Sequence, residues 1–168
     1  MTKAQKLVAI GSASGGLFML AALWSLTQIL PGLRASANVA ERLAFAAQWN
    51  AIAIIPLVLV IISVGNQRFA GPAIDPIAEE PGRTIVIDNR VIDNTLQQYV
   101  LFAAATFAVS AGASGDQVSI ISAAAMMFIV LRLAFWIGYR IDPLYRAFGM
   151  GGTLYLNLVL LGYAIWLA

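Results

Sequence analysis

The chain has 168 residues, of which 61% are hydrophobic and only 11% charged, with a mean hydropathy of +0.84. Soluble domains run at about 45–50% apolar and about 25% charged, so this composition belongs to an integral membrane protein with room for one compact bundle and no separate soluble domain. The +2 net charge says little about nucleic acid, because the basic residues are scattered and most flank apolar segments, and no nucleic-acid partner is expected; the absence of Cys and His excludes disulfides, thiol nucleophiles, the usual zinc sites and imidazole catalysis.

Five apolar segments are expected, each near the roughly 20 residues that cross a bilayer. The first covers Leu7–Leu30 and ends at Pro31-Gly32. Lys3 and Lys6 ahead of an apolar run imitate a signal peptide, but the run is too long and lacks a small-residue cleavage pattern, so it reads as a retained helix. Its "GSASGG" favours close helix packing through small residues; a phosphate-cradling loop would need a strand before it. The second segment, Asn50–Val64, is short and gains length from the helical "ERLAFAAQW" before it. A stretch from Gly65 to Asp88, with three prolines and three glycines, reads as an irregular connection. The third segment is Thr95–Ala113, the fourth Val118–Tyr139 and the fifth Met150–Ala168; the tight "GASGDQ" turn makes the third and fourth antiparallel neighbours. No internal repeat or low-complexity tract is evident.

Basic residues set the expected orientation. With the N-terminus inside, Lys3, Lys6, Arg68, Arg83, Arg90, Arg140 and Arg146 lie on the cytoplasmic side and only Arg34 and Arg42 outside. The short loops and this bias match a bacterial inner membrane.

Two polar stripes enter the apolar segments. In "DNRVIDNTLQQY" the residues Arg90, Asn94, Gln97 and Gln98 fall at i, i+4, i+7 and i+8, one face of a helix, with Asp93 beside them. A solvated helix start capped by Asp88 or Asn89 accounts for Arg90 and Asp93, and interhelical amide bonding is an alternative for the deeper glutamines. In "RLAFWIGYRIDPLYR" Arg132 is followed on its stripe by Phe135, Trp136 and Tyr139. Arg132 lies about two turns inside the helix end, roughly 10 Å deep, where a cation either snorkels or faces a partner or aqueous cavity. Arg140 and Asp142 read as interfacial charges. Arg90, Arg132 and Arg146 converging on one side form a binding place for a multiply anionic ligand.

These paired stripes resemble the MAPEG family, the membrane-associated proteins in eicosanoid and glutathione metabolism. The resemblance covers Asn50 to Ala168 and implies an all-α, four-helix membrane bundle over 50–168, with residues 1–49 supplying an additional N-terminal transmembrane helix and a connecting segment. It implies a homotrimer that holds glutathione between protomers, in contact with membrane lipid and lipophilic small-molecule substrates. The family's Arg-x-x-x-Asn-x-x-Glu falls on Arg90, Asn94 and Gln97; its Arg-x-x-(Tyr/His)-x-x-x-Tyr falls on Arg132, Phe135 and Tyr139. The thiolate-stabilising arginine falls on Arg146, and Arg68 matches a further basic residue near the site. Arg90, Asn94, Gln97, Gln98, Arg132 and Arg68 are thus candidate glutathione ligands, and Arg146 and Tyr139 candidate catalytic residues; no metal site is expected. Gln97 replaces the family's glutamate with a neutral amide, and Phe135 replaces a polar ring. A glutathione-dependent transferase or peroxidase is the leading reading, beside a non-catalytic member with a structural or ligand-sensing role. A small anion transporter ranks last, because neither repeats nor broken helices are visible.

Overall fold

A computed structural model of the chain describes residues 1–71, 74, 75, 77 and 80–168, and its described elements are helices: α1 (Lys3–Thr27), α2 (Val39–Ala53), α3 (Ile55–Ala70), α4 (Arg83–Gly112), α5 (Ser119–Ile141) and α6 (Ala147–Leu167). Local chemistry sets the starts of α1 and α2. Thr2 and Gln5 form a reciprocal capping box, as do Asn38 and Glu41, each satisfying backbone donors that a helix start leaves open. α2 and α3 follow one another as a single helical stretch, Val39–Ala70. Pro56 removes a helix donor, yet Ile54 still donates to the Asn50 carbonyl at 3.2 Å and Val58 to the Ile54 carbonyl at 3.2 Å, so helical bonding continues across the junction.

Four helical stretches are long and apolar enough to cross a membrane: Lys3–Thr27, Val39–Ala70, Ser119–Ile141 and Ala147–Leu167. The helical lead-in expected for the second segment is therefore present. The expected third segment lies within α4, with one correction to its bounds: the helix begins at Arg83, and its polar first half keeps it outside this set by composition. Its first half carries Arg83, Asp88, Arg90 and Asp93, and Gln97 and Gln98 follow. Of these, Asp88 and Gln98 are buried where α4 packs against its neighbours α2, α3, α5 and α6, whereas Arg83, Arg90, Asp93 and Gln97 are exposed. Its buried polar groups, Asp88, Thr95, Gln98, Thr106 and Ser110, face helices and not lipid. At 1.5 Å per residue its 30 residues span about 45 Å.

The connection before α4 is a second correction. α3 continues to Ala70 and α4 begins at Arg83, just after Pro81-Gly82. Part of the expected loop is thus helix, drawn in because Ile85 and Ile87 find burial. The irregular structure expected over 72, 73, 76, 78 and 79 lies outside the described residues. Asp88 and Asn89 are not caps either: Gly82 precedes the helix, and both lie inside it.

The core gathers Phe102 and Phe128, with ring centroids 4.8 Å apart, around Met19, Leu23, Leu131, Leu156 and Leu160. Leu17, Trp24, Ile61 and Ile62 point outward, as a bilayer allows. α1 packs on α6 in parallel: Gly11 faces Ala147, Gly15 faces Phe148 and Gly152, and Gly16 faces Tyr155. A methyl group on Gly15 would overlap the Phe148 carbonyl, so the small residues of "GSASGG" do serve close packing. Because α1 and α6 run the same way, Lys3 and Lys6 share an end of the bundle with Arg146. At the opposite end Arg42 donates to the carbonyls of Ser110 (2.9 Å) and Ala111 (3.2 Å), closing the C-terminus of α4.

Candidate functional site

At the end shared by Arg90 and Arg146, a cavity of about 260 Å³ is lined by Arg90, Asn94, Phe135, Tyr139, Arg146 and Met150. α4 contributes Arg90 and Asn94, one turn apart. α5 contributes Phe135 and Tyr139, again one turn apart, with rings edge-on at 5.8 Å. Arg146 and Met150 stand on either side of the start of α6. The close approach of α6 depends on Gly149, where a methyl group would overlap the Leu131 carbonyl and the Phe135 backbone.

The hydrogen-bond directions fix what the cavity offers. Arg132 is 1% exposed and sits behind the wall. It donates to Asn94 Oδ1 at 2.8 Å, to Thr153 Oγ1 at 3.1 Å and to the Gly149 carbonyl at 3.2 Å, and lies 4.5 Å from the Phe135 ring centroid. With its oxygen committed to Arg132, Asn94 has its NH₂ left for the cavity. Arg90 donates to the Tyr139 hydroxyl oxygen at 3.5 Å, leaving the phenolic proton to be given elsewhere. Arg146 stacks over the Tyr139 ring at 4.8 Å. The polar side chains of the lining are therefore two guanidiniums, an amide NH₂ and a phenol, all able to donate. Among the described residues no carboxylate pairs with Arg90, Arg132 or Arg146. A lining of donors is the chemistry that would suit an anion.

The candidate residues divide on this geometry. Arg90, Asn94, Tyr139 and Arg146 line the cavity together. Arg132 supports it from behind and does not line it. Gln98 is turned away from Gln97: it is buried, and its carbonyl groups accept from Asn157 Nδ2 at 2.9 and 3.0 Å. Gln97 is exposed, one turn beyond Asn94. Arg68 lies in the last turn of α3, outside the cavity lining. On α5 the expected stripe also splits, because Trp136 faces the other side and donates to Asp88 at 2.8 Å.

That other side holds a polar centre the sequence reading misassigned. Asp88 is fully buried and accepts from Arg140 through both oxygens, from Trp136, from Gln67 at 2.7 Å and from Ser63 at 3.2 Å. Arg140, itself exposed at the end of α5, is thus half of an ion pair with a buried carboxylate that joins α4 to α5. Burial pushes the Asp88 carboxyl up, but donation by Arg140, Trp136 and Gln67 outweighs it and holds the group below the usual carboxylate range. Thr153, Gly149 and Met150 were also missed. Thr153 and Asn157, one turn apart in an apolar helix, were the readable signal, since polar side chains at membrane depth need partners.

Two larger grooves, of about 540 and 570 Å³, run along α1 and α6 beside Tyr155 and carry no charged side chain. Among the described residues no cluster of side chains suits a metal.

The family model described as the MAPEG family matches residues 46–166, leaving α1 and the start of α2 outside the matched stretch. The chain belongs to the MAPEG family. No curated protein and no solved structure matches it. Within this MAPEG protein the cavity forms where the two sequence stripes meet, with α6 supplying the third wall.

Proposed function

We propose that this MAPEG protein binds glutathione in the Arg90–Tyr139–Arg146 cavity and uses its thiolate on lipophilic electrophiles or peroxides. The observation that carries the reading is the all-donor lining around two arginines without carboxylate partners. Glutathione supplies two carboxylates and a thiol whose ordinary pKa is about 8.5 and falls beside Arg. Arg146 favours the thiolate by charge, and the free phenolic proton of Tyr139 donates to the sulfur. With an electrophilic carbon, the sulfur lone pair forms the C–S bond and the leaving group departs with the electrons of its broken bond. With a peroxide, the thiolate takes one oxygen, releases an alcohol, and a second glutathione reduces the resulting sulfenic acid to disulfide and water. Met150 both lines the cavity and is exposed on the outer surface, which gives a lipophilic substrate a lateral way in from the bilayer.

The proposal includes a homotrimer with glutathione between protomers; the exposed amide of Gln97, at membrane depth, is a group that a neighbouring copy would cover. Isothermal titration of the detergent-purified protein with glutathione tests the site. Saturable binding that Arg90→Ala and Arg146→Ala each weaken supports it, and an electrophile screen follows. Absence of binding overturns the glutathione reading. Native mass spectrometry tests the assembly, and a monomer would remove its between-protomer element.

A further inference from the structure

The two grooves along α1 and α6 meet at Tyr155, which lines both. Its ring lies against Gly16, where an added methyl group would come within 2.7 Å of Cδ2. At the end near Lys3 and Lys6 the groove passes the polar side chains of Gln5 and Ser12. Deeper in it is lined by Ala13, Leu17, Leu20, Leu158 and Val159. Among the described residues the hydroxyls of Ser12 and Tyr155 form no hydrogen bond, and the Gln5 side chain commits only Oε1, to the Thr2 backbone at 2.8 Å. The groove thus grades from unsatisfied polar groups at its outer end to hydrocarbon within.

Its dimensions match one leaflet of a bilayer. Lys6 stands on the helix stripe of Ala13, Leu17 and Leu20, at i+7, i+11 and i+14, and Lys3 is one turn before it. Neither lysine lines the groove. Both are exposed at its outer end, and among the described residues neither has a carboxylate partner. Lys6 to Ser12 is about 9 Å along the axis, and Ser12 to Leu20 about 12 Å. A leaflet places its polar layer over roughly 5–8 Å and its acyl chains over about 15 Å. A phosphate at the lysines, glycerol esters at Ser12 and Tyr155, and an acyl chain along Ala13–Leu20 fit those intervals.

We infer that the α1–α6 groove binds one anionic phospholipid, with its phosphate at Lys3 and Lys6 and one acyl chain in the apolar half. Charge selects the headgroup, since each basic residue near the membrane surface favours an anionic lipid by about fivefold. The chain in the groove covers Leu17 and Leu20, which the protein leaves 70% and 51% exposed. α1 precedes the stretch that the MAPEG model matches, so this site is built on the helix that the chain adds to it.

The test is native mass spectrometry of the detergent-purified full chain, titrated with phosphatidylglycerol and phosphatidylcholine of the same acyl chains. The expected result is a first phosphatidylglycerol bound about 25-fold more tightly than the first phosphatidylcholine, about fivefold for each lysine. Lys3→Gln combined with Lys6→Gln should remove that preference and leave phosphatidylcholine binding unchanged. Ala13→Trp, at an exposed position of the groove, should weaken both lipids about tenfold with thermal unfolding unaltered, because it fills the groove without entering the core. Equal affinity for the two lipids in the native chain, or a preference that survives the double lysine substitution, overturns the headgroup assignment. Lipid binding insensitive to Ala13→Trp overturns the groove. A second copy of the chain is the competing occupant: there is no native cysteine, so oxidative cross-linking of Ala13→Cys between copies would reveal it and overturn the lipid assignment.

Discussion

Arg132→Met separates what the buried arginine does for the fold from what it does for the ligand. Arg132 is 1% exposed and its three hydrogen-bond partners are neutral. Each charge-assisted bond contributes about 1.5–3 kcal/mol, but burying the guanidinium costs several kcal/mol, so the two nearly cancel. Methionine fills most of the same volume. The Gly149 carbonyl keeps its bond from Thr153 at 2.8 Å, and Asn94 can turn its freed oxygen toward the cavity. Stability should therefore change by no more than about 2 kcal/mol. Binding should change more. An anion one side-chain layer away, about 7 Å, gains roughly 2.4 kcal/mol from the guanidinium at an effective dielectric near 20, about 50-fold in affinity. Release of Asn94 adds to that loss. Calorimetric titration with glutathione beside thermal unfolding in the same detergent reads both quantities. Arg132→Lys keeps the charge but not the fork, so it should recover part of the affinity. Unaltered affinity in Arg132→Met would refute the reasoning, as would a large loss of stability with binding retained.

Arg146→Ala should raise the apparent pKa of the bound thiol by about one unit, since it removes a cation that favours the thiolate; the pH–rate profile or the ultraviolet absorbance of the bound thiolate measures the shift toward alkaline pH. Asp88→Asn should lower stability by about 2 kcal/mol, less than for a fully enclosed pair because Arg140 is partly exposed, as thermal unfolding can determine. The depressed Asp88 carboxyl gives this a pH signature: its contribution is complete above the ordinary carboxyl range near 3.9 and is lost as pH falls through the lower folded value, a loss that Asp88→Asn should abolish. Orientation can be tested because the chain has no cysteine: with the N-terminus inside, Arg34→Cys should react with a membrane-impermeant thiol reagent in intact cells and Lys3→Cys only after lysis, and the reverse pattern would invert the topology.

The helices were legible because hydropathy and helical period are local properties. Each apolar segment appears as a helix, the first, fourth and fifth within a few residues of their expected bounds, while the second and third extend well beyond theirs and α4 alone is too polar to count as a span by composition. The stripes on α4 and α5 were legible for the same reason, as were the residues that carry the family resemblance. What periodicity could not do was divide a stripe. Gln97 and Gln98 are adjacent, so each lies within the width of one polar face, yet one is exposed and the other is bonded to Asn157 on α6. Phe135 and Trp136 divide in the same way, one toward the cavity and one toward Asp88.

By itself, then, the sequence determined a membrane-embedded helical chain, the small-residue face of α1, and the donor residues of two polar stripes, because each depends on neighbours within one or two helical turns. The tertiary structure decided which of those residues share a cavity, that Arg132 stands behind Asn94, and that buried Asp88 pairs with Arg140, 52 positions away in the chain. Those outcomes depend on which helix packs against each side of α4 and α5. Helix rotation and depth are set by contacts between distant segments, such as the close approach at Gly149, and no local pattern encodes them.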